Sequence, residues 1–123
     1  MAFFQTTIIT DLARPLETKH LGNALFTDDV GANRIIVELY ENGVAKNISA
    51  NTNQIKGKII KSDGTTLEIN GGVTGTNKAY IDLPANAYNV AGPCKITIRV
   101  IDTSVSPNKK TVIGACYAYI QEG

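Results

Sequence analysis

The sequence predicts an all-β domain built as two packed antiparallel sheets, and three observations carry that prediction. Apolar and polar residues alternate at period two wherever β-branched and aromatic residues are dense. Turn signals punctuate the chain at intervals of roughly 8 to 15 residues. No window sustains helical periodicity beyond a turn or two, which removes architectures that lay helices on a sheet.

The elements follow in order. FFQTTIIT reads as a strand from its β-branched residues at positions 6–10. DLARPLETKHLGNALFTDDVGAN has no sustained period, because Pro15, Gly22 and Gly31 break every window around Asp28-Asp29. Residues 11–32 therefore read as an extended arm, and about 20 structureless residues inside a compact domain are expected to pack on a neighbour or to bind something. RIIVELYENG sets Ile35, Val37 and Leu39 on one face and Arg34, Glu38 and Tyr40 on the other, with Ile36 interrupting the polar side. QIKGKIIKSDGTTLEING places Ile55, Gly57 and Ile59 on one parity, then Leu67 and Ile69 after Asp63-Gly64. It predicts a hairpin over residues 54–70 with a two-residue type I′ turn at Asp63-Gly64.

Gly71-Gly72 and the Thr-Gly-Thr-Asn stretch at 74–77 mark further turns before KAYIDL, where Ala79, Ile81 and Leu83 share a face. In YIDLPANAYNVAGP, Pro84 ends a strand because it cannot donate to the ladder, and Pro93 sets the start of the next after flexible Gly92. Between them the chain must cross from one sheet to the other. Tyr88 is expected to turn back and bond backbone there, as in the tyrosine corner of Greek-key sandwiches. CKITIRVID is a half-buried strand with Cys94, Ile96, Ile98 and Val100 inward, and TVIGACYAYIQ runs apolar on both faces like a central strand. Gly114 suggests a bulge or a close approach of another backbone. Together these strands predict an immunoglobulin-like antiparallel β-sandwich of about seven strands with an extended N-terminal arm, although a closed barrel shares the same alternation. The division expected is a strand and irregular arm over 1–32 and a sandwich over 33–123, one domain overall in 123 residues.

Composition narrows the function classes. With 12 Lys and Arg against 11 Asp and Glu, no strong field concentrates a polyanion, so neither nucleic acid nor an anionic membrane is an expected partner. No run approaches the ~18 apolar residues that span a bilayer. MAFFQTTIIT lacks a basic start and a cleavage site, and a soluble chain not exported by the usual signal is expected. Cys94 and Cys116 are too far apart in sequence for a CxxC motif; a cross-strand disulfide is conceivable, and reduced, buried thiols are favoured.

Chemistry is sparse. His20, the single histidine, has no serine or cysteine nearby in sequence, and thiols on inward parity would be inert partners for it. TDDVGAN carries only part of a calcium-loop pattern, and GGVTGT opens no helix and so lacks the context of a phosphate cradle. No catalytic, cofactor-binding or metal-ligating residue is assigned, and a non-enzyme is expected. Tyr117 and Tyr119 share the parity opposite Cys116. With Tyr80 they are candidates for a glycan or subunit contact, and a protein interface is favoured because tryptophan is absent.

The order GNALFTDDVGANRIIVELYENG, IKGKIIKSDGTTLEINGGVTGTNKAYIDLPANAYNVAGPCKITIRV and TVIGACYAYI resembles the N-terminal domain of the phage baseplate upper protein family. It also resembles short stand-alone relatives in phages of low-GC Gram-positive bacteria. The shared features are the ANRI strand, the DGT hairpin, the AYIDLP and GP segment and the closing apolar strand, over about 100 residues, each weak alone and moderately specific in order and spacing. The resemblance implies a non-enzymatic assembly module in the virion, synthesised in the bacterial host cytoplasm and contacting other virion proteins. In baseplate relatives helical and receptor-linking parts follow, whereas this chain ends at Gly123. A capsid-surface or head-fibre position is therefore expected alongside a baseplate or tail one. Homo-oligomers are expected, because a long arm buries most readily against a copy or a shell protein. Phe3, Phe4, Ile8, Ile9, Leu25 and Phe26 are the candidate apolar anchors, unless they form an ordinary first strand plugged into the core. The second reading is a carbohydrate-binding module attaching the particle to host glycans.

Overall fold

The computed structural model describes residues 4–14, 19–20, 25–26, 33–50, 52–84, 86 and 90–121. Its strands are β1 (Phe4–Asp11), β2 (Lys19–His20), β3 (Leu25–Phe26), β4 (Asn33–Glu41), β5 (Val44–Ala45) and β6 (Asn53–Ile60). Then follow β7 (Thr66–Asn70), β8 (Gly72–Thr74), β9 (Lys78–Asp82), β10 (Gly92–Asp102) and β11 (Lys109–Gln121). One sheet has the order β1-β4-β9-β8 with β5 also on β4; the other has β2-β11-β10-β6-β7 with β3 also on β11. Setting the short β2, β3 and β5 aside, these are the A-B-E-D and G-F-C orders of an immunoglobulin sandwich, with β7 as the added C′ strand of the variable type.

The expected all-antiparallel pairing fails at the N-terminal end. β1 runs parallel to β4, and β2 and β3 run parallel to β11. Parallel neighbours need a connection of about a dozen residues or more, and the chain between β1 and β4 has that length. Without a regular period, the stretch gave no sign that it was a crossover.

Parity decides the core. Ile35, Val37 and Leu39 of β4, Ala79 and Ile81 of β9, Ile55 and Ile59 of β6, and Cys94, Ile96 and Ile98 of β10 are all buried between the sheets. The 54–70 hairpin forms with Gly57 opposite Ile69 and Ile59 opposite Leu67, one residue off the register that a two-residue loop at Asp63-Gly64 would set. Its turn is not type I′. Gly64 donates to Lys61 O at 3.0 Å and alone takes positive φ, at 86°, while the Asp63 carboxylate accepts from the Thr65 amide and hydroxyl at 3.0 and 2.6 Å. That side-chain turn holds Asp63 in right-handed backbone space and leaves Gly64 as the bulge residue. Asn42-Gly43 instead supplies the two consecutive positive φ values, 53° and 76°, of a type I′ turn between β4 and β5.

Two of the segments that carry the chain between sheets are those joining β7 to β8 and β9 to β10. At Gly71, between β7 and β8, a Cβ would lie 2.2 Å from Tyr80 O, so backbone passes where no side chain fits. Between β9 and β10 the chain crosses as Pro84 and Gly92-Pro93 suggested. Gly92 has φ +118° and a Cβ there would meet Ser62 at 2.8 Å, while the Ser62 hydroxyl donates to Ala91 O at 2.7 Å. The expected role of Tyr88 lies outside the described residues.

Among the described residues, β11 has β10 along one edge and the two-residue β2 and β3 along the other. Its bulge is real. Pairing shifts from Ile98 opposite Gly114 to Arg99 opposite Val112, leaving Ile113 as the extra residue. The Ile113 carbonyl accepts the buried Thr10 hydroxyl at 2.6 Å, a bond from β1 in one sheet to β11 in the other. At Gly114 a Cβ would sit 2.8 Å from Val37 Cγ2, so the close neighbour is an opposing side chain and not backbone. Cys94 and Cys116 are buried thiols not joined in a disulfide, with burial pushing the Cys94 thiol up.

Thr10→Val keeps the shape and removes the donor, leaving a buried carbonyl unsatisfied; unfolding in urea should show a loss of about 1–3 kcal/mol, with Thr10→Ser retaining most of the stability. Gly114→Ala should also destabilise the fold, and Val37→Ala should restore part of the loss if the clash is the cause.

Candidate assembly surface

β1 ends at Asp11, and this residue fixes where the arm begins. Its carboxylate accepts backbone amides from Ala13 at 2.9 Å, Asn42 at 2.9 Å and Gly43 at 2.8 Å. These donors, with Arg14 nearby, hold the Asp11 carboxyl below the usual carboxylate range. The Leu12 amide donates to Tyr40 O at 2.8 Å, and Leu12 packs against the core. Farther along, β2 lies opposite Cys116 and Tyr117, and β3 opposite Ile120 and Gln121. The described parts of the arm thus pair with the edge of β11 in the same chain, covering ladder groups that would otherwise template another strand. His20 stands opposite Tyr117 in this register.

The six candidate anchors separate. Phe3 lies outside the described residues, and Phe4 opens β1 opposite Asn33. Ile8 is buried in the chain's own core, so it plugs the sandwich and is no anchor for a partner. Ile9 points the other way and is 71% exposed. Leu25 and Phe26 form β3 on β11. Because β1 carries both Ile8 and Thr10 into the sandwich, removing residues 1–26 would strip core as well as arm.

The three candidate tyrosines do not form one platform. Tyr80 is on the outer face of the first sheet, where the Arg34 guanidinium lies 4.2 Å over its ring and itself binds Asp82 through two bonds of 2.7 and 2.9 Å. Tyr117 and Tyr119 are on the outer face of the second sheet, 41% and 55% exposed, with the Lys95 ammonium 5.8 Å from the Tyr117 ring centre. The Arg34–Asp82 clamp that occupies Tyr80 was not read from the sequence; strand pairing sets Arg34 directly opposite Asp82 and supplies it.

A cleft of about 430 Å³ opens at one end of the sandwich, with Leu39, Ile48, Val100 and Ile113 buried at its floor and Glu41, Lys46 and Lys109 exposed around it. Among the described residues, no group of three or more His, Cys, Asp or Glu gathers where a metal ion could be held. Asp102 beside this cleft has its carboxyl held down by the Ser104 hydroxyl and amide, which suits a loop cap better than a general base.

No family model and no curated protein matches the chain. Among solved structures it is similar to the N-terminal domain of phage TP901-1 ORF48, with a TM-score of 0.62 over 95% of this chain and 98% of that chain, at 12% sequence identity. The likeness at this identity is one of fold, and it runs from end to end of both chains.

The depressed Asp11 carboxyl contributes stability that is present above its unfolded value of about 4 and is lost as pH falls through the folded value. Thermal melts should therefore separate wild type from Asp11→Asn at pH 7 and bring the two together near pH 2. A gap that persists unchanged in acid would remove the carboxylate as its cause.

Proposed function

We propose that this chain is a non-enzymatic structural protein of a bacteriophage virion, an assembly or decoration module contacting other virion proteins. The observation that carries the reading is the end-to-end fold likeness to a domain of a phage protein, obtained independently of the sequence resemblance to phage virion proteins. The position on the particle is a baseplate or tail accessory site, or a capsid-surface or head-fibre base. Assembly uses surface that the fold leaves open. Ile9 projects from β1, and among the described residues no strand pairs with β1 on the side away from β4. A second copy or a neighbouring subunit is the proposed cover for that edge.

Exposure of Tyr117 and Tyr119 favours one alternative, a module that holds host-surface glycans. The two readings part on measurement. Mass spectrometry and immunogold labelling of purified particles should find the chain at a fixed copy number, and Ile9→Lys should lower incorporation without lowering the melting temperature. Under the alternative, Tyr117→Ala with Tyr119→Ala would abolish retention on host cell-wall glycans and leave incorporation untouched. Particles that lack the chain altogether would sink the virion reading.

A further inference from the structure

The two outer faces of the sandwich carry charge in opposite ways. On the first sheet, Arg34 meets Asp82 at 2.7 Å and Lys78 meets Glu38 at 3.6 Å, so each charge in these pairs is answered on the same face. On the second sheet, strand register gathers Lys56, Lys58, Lys95, Arg99 and Lys110 outward, with Glu68 the one outward anion among the described strand residues. Lys56 stands directly opposite Arg99. Like charges in register destabilise a sheet, and the Lys56 ammonium relieves this only in part by donating to the neutral Asn70 side chain. A chain of nearly zero net charge has thus placed a cationic surface on one side of itself.

One end of this surface is apolar. Ile60, Lys95 and Tyr117 form one row across β6, β10 and β11, and Pro93 and Tyr119 form the next. Ile60, Tyr117 and Tyr119 are all substantially exposed. Aromatic and aliphatic contacts beside a charged margin are the anatomy of a protein interface. A nucleic acid would be held by the cations and stacked on the tyrosines, and gives no use for Ile60 and Pro93.

We infer that the outer face of the second sheet is a docking face for an acidic protein surface, with the Ile60–Tyr117–Tyr119 end packing and the lysine and arginine rows steering. The inference rests on the virion reading and adds to the β1 edge a second contact face, with the chemistry of its partner. Opposed charge would orient the module before contact and make attachment sensitive to salt.

Purified particles treated with a carbodiimide, which joins an amine to a carboxylate only where the two touch, test it directly. Mass spectrometry should find Lys56, Lys58, Lys95 or Lys110 joined to Asp or Glu of another polypeptide. In phage carrying Lys58→Glu with Arg99→Glu, incorporation should fall at least tenfold while the purified variant melts within a few degrees of wild type, and Lys46→Glu, away from this face, should incorporate normally. Equal incorporation of the double variant overturns the inference and leaves the virion reading standing. Binding of a fluorescein-labelled oligothymidylate at physiological salt, with no carboxylate crosslinks on particles, overturns it in favour of a nucleic acid. Absence of the wild-type chain from particles overturns both readings.

Discussion

The hydrogen bond from Thr10 to the Ile113 carbonyl is the constraint on which the N-terminal half of the architecture hangs. A bulge frees a carbonyl from its ladder, and a freed carbonyl in a dry interior costs about 1–3 kcal/mol unless a donor reaches it. The donor comes from the opposite sheet, so the defect in β11 becomes a clasp. Gly114, beside the bulge, lets Val37 approach closely enough for the two sheets to meet at that point. With β1 clasped, Asp11 falls beside the Asn42-Gly43 turn and gathers three amides, and the chain leaves toward the edge of β11. One hydrogen bond therefore ties the closure of the sandwich to the strand from which the arm departs.

Much of the fold was legible because a buried face imposes period two on a strand outside its bulges. Ile35-Val37-Leu39, Ala79-Ile81-Leu83 and Cys94-Ile96-Ile98 were all placed inward by alternation alone, and all are buried. Pro84 and Gly92 were legible for a different reason, since neither a missing donor nor a positive φ depends on long-range context. The turn at Asp63-Gly64 was misjudged because Asp-Gly is compatible with two geometries, and the Thr65 hydroxyl chooses between them through the Asp63 carboxylate. Parallel pairing of β1 had no local signature at all, since direction relative to β4 is decided by a connection whose sequence is irregular.

The candidate surface was less legible, and Ile8 and Ile9 show why. The two are chemically identical neighbours, and which of them enters the core depends on which face of β1 meets the other sheet. Nothing in TTIIT states that. Tyr80 and Tyr117 pose the same difficulty at longer range: each follows an alternating pattern, yet Arg34 lies close over the Tyr80 ring while Tyr117 is 41% exposed. Exposure of an aromatic is a property of its cross-strand neighbours, which the sequence lists only after the register is known.

Net charge leaves the local surface unread for a related physical reason. A formal charge of +1 excludes a strong far field but says nothing about fields within a Debye length of about 8–10 Å, where contact surfaces are recognised. The first sheet neutralises itself through Arg34–Asp82 and Lys78–Glu38, and so offers an approaching protein little electrostatic reason to choose it. The second sheet does the reverse. For the docking proposed above, this contrast between a face that pairs its own charges and one that gathers cations would favour one orientation without any increase in total charge.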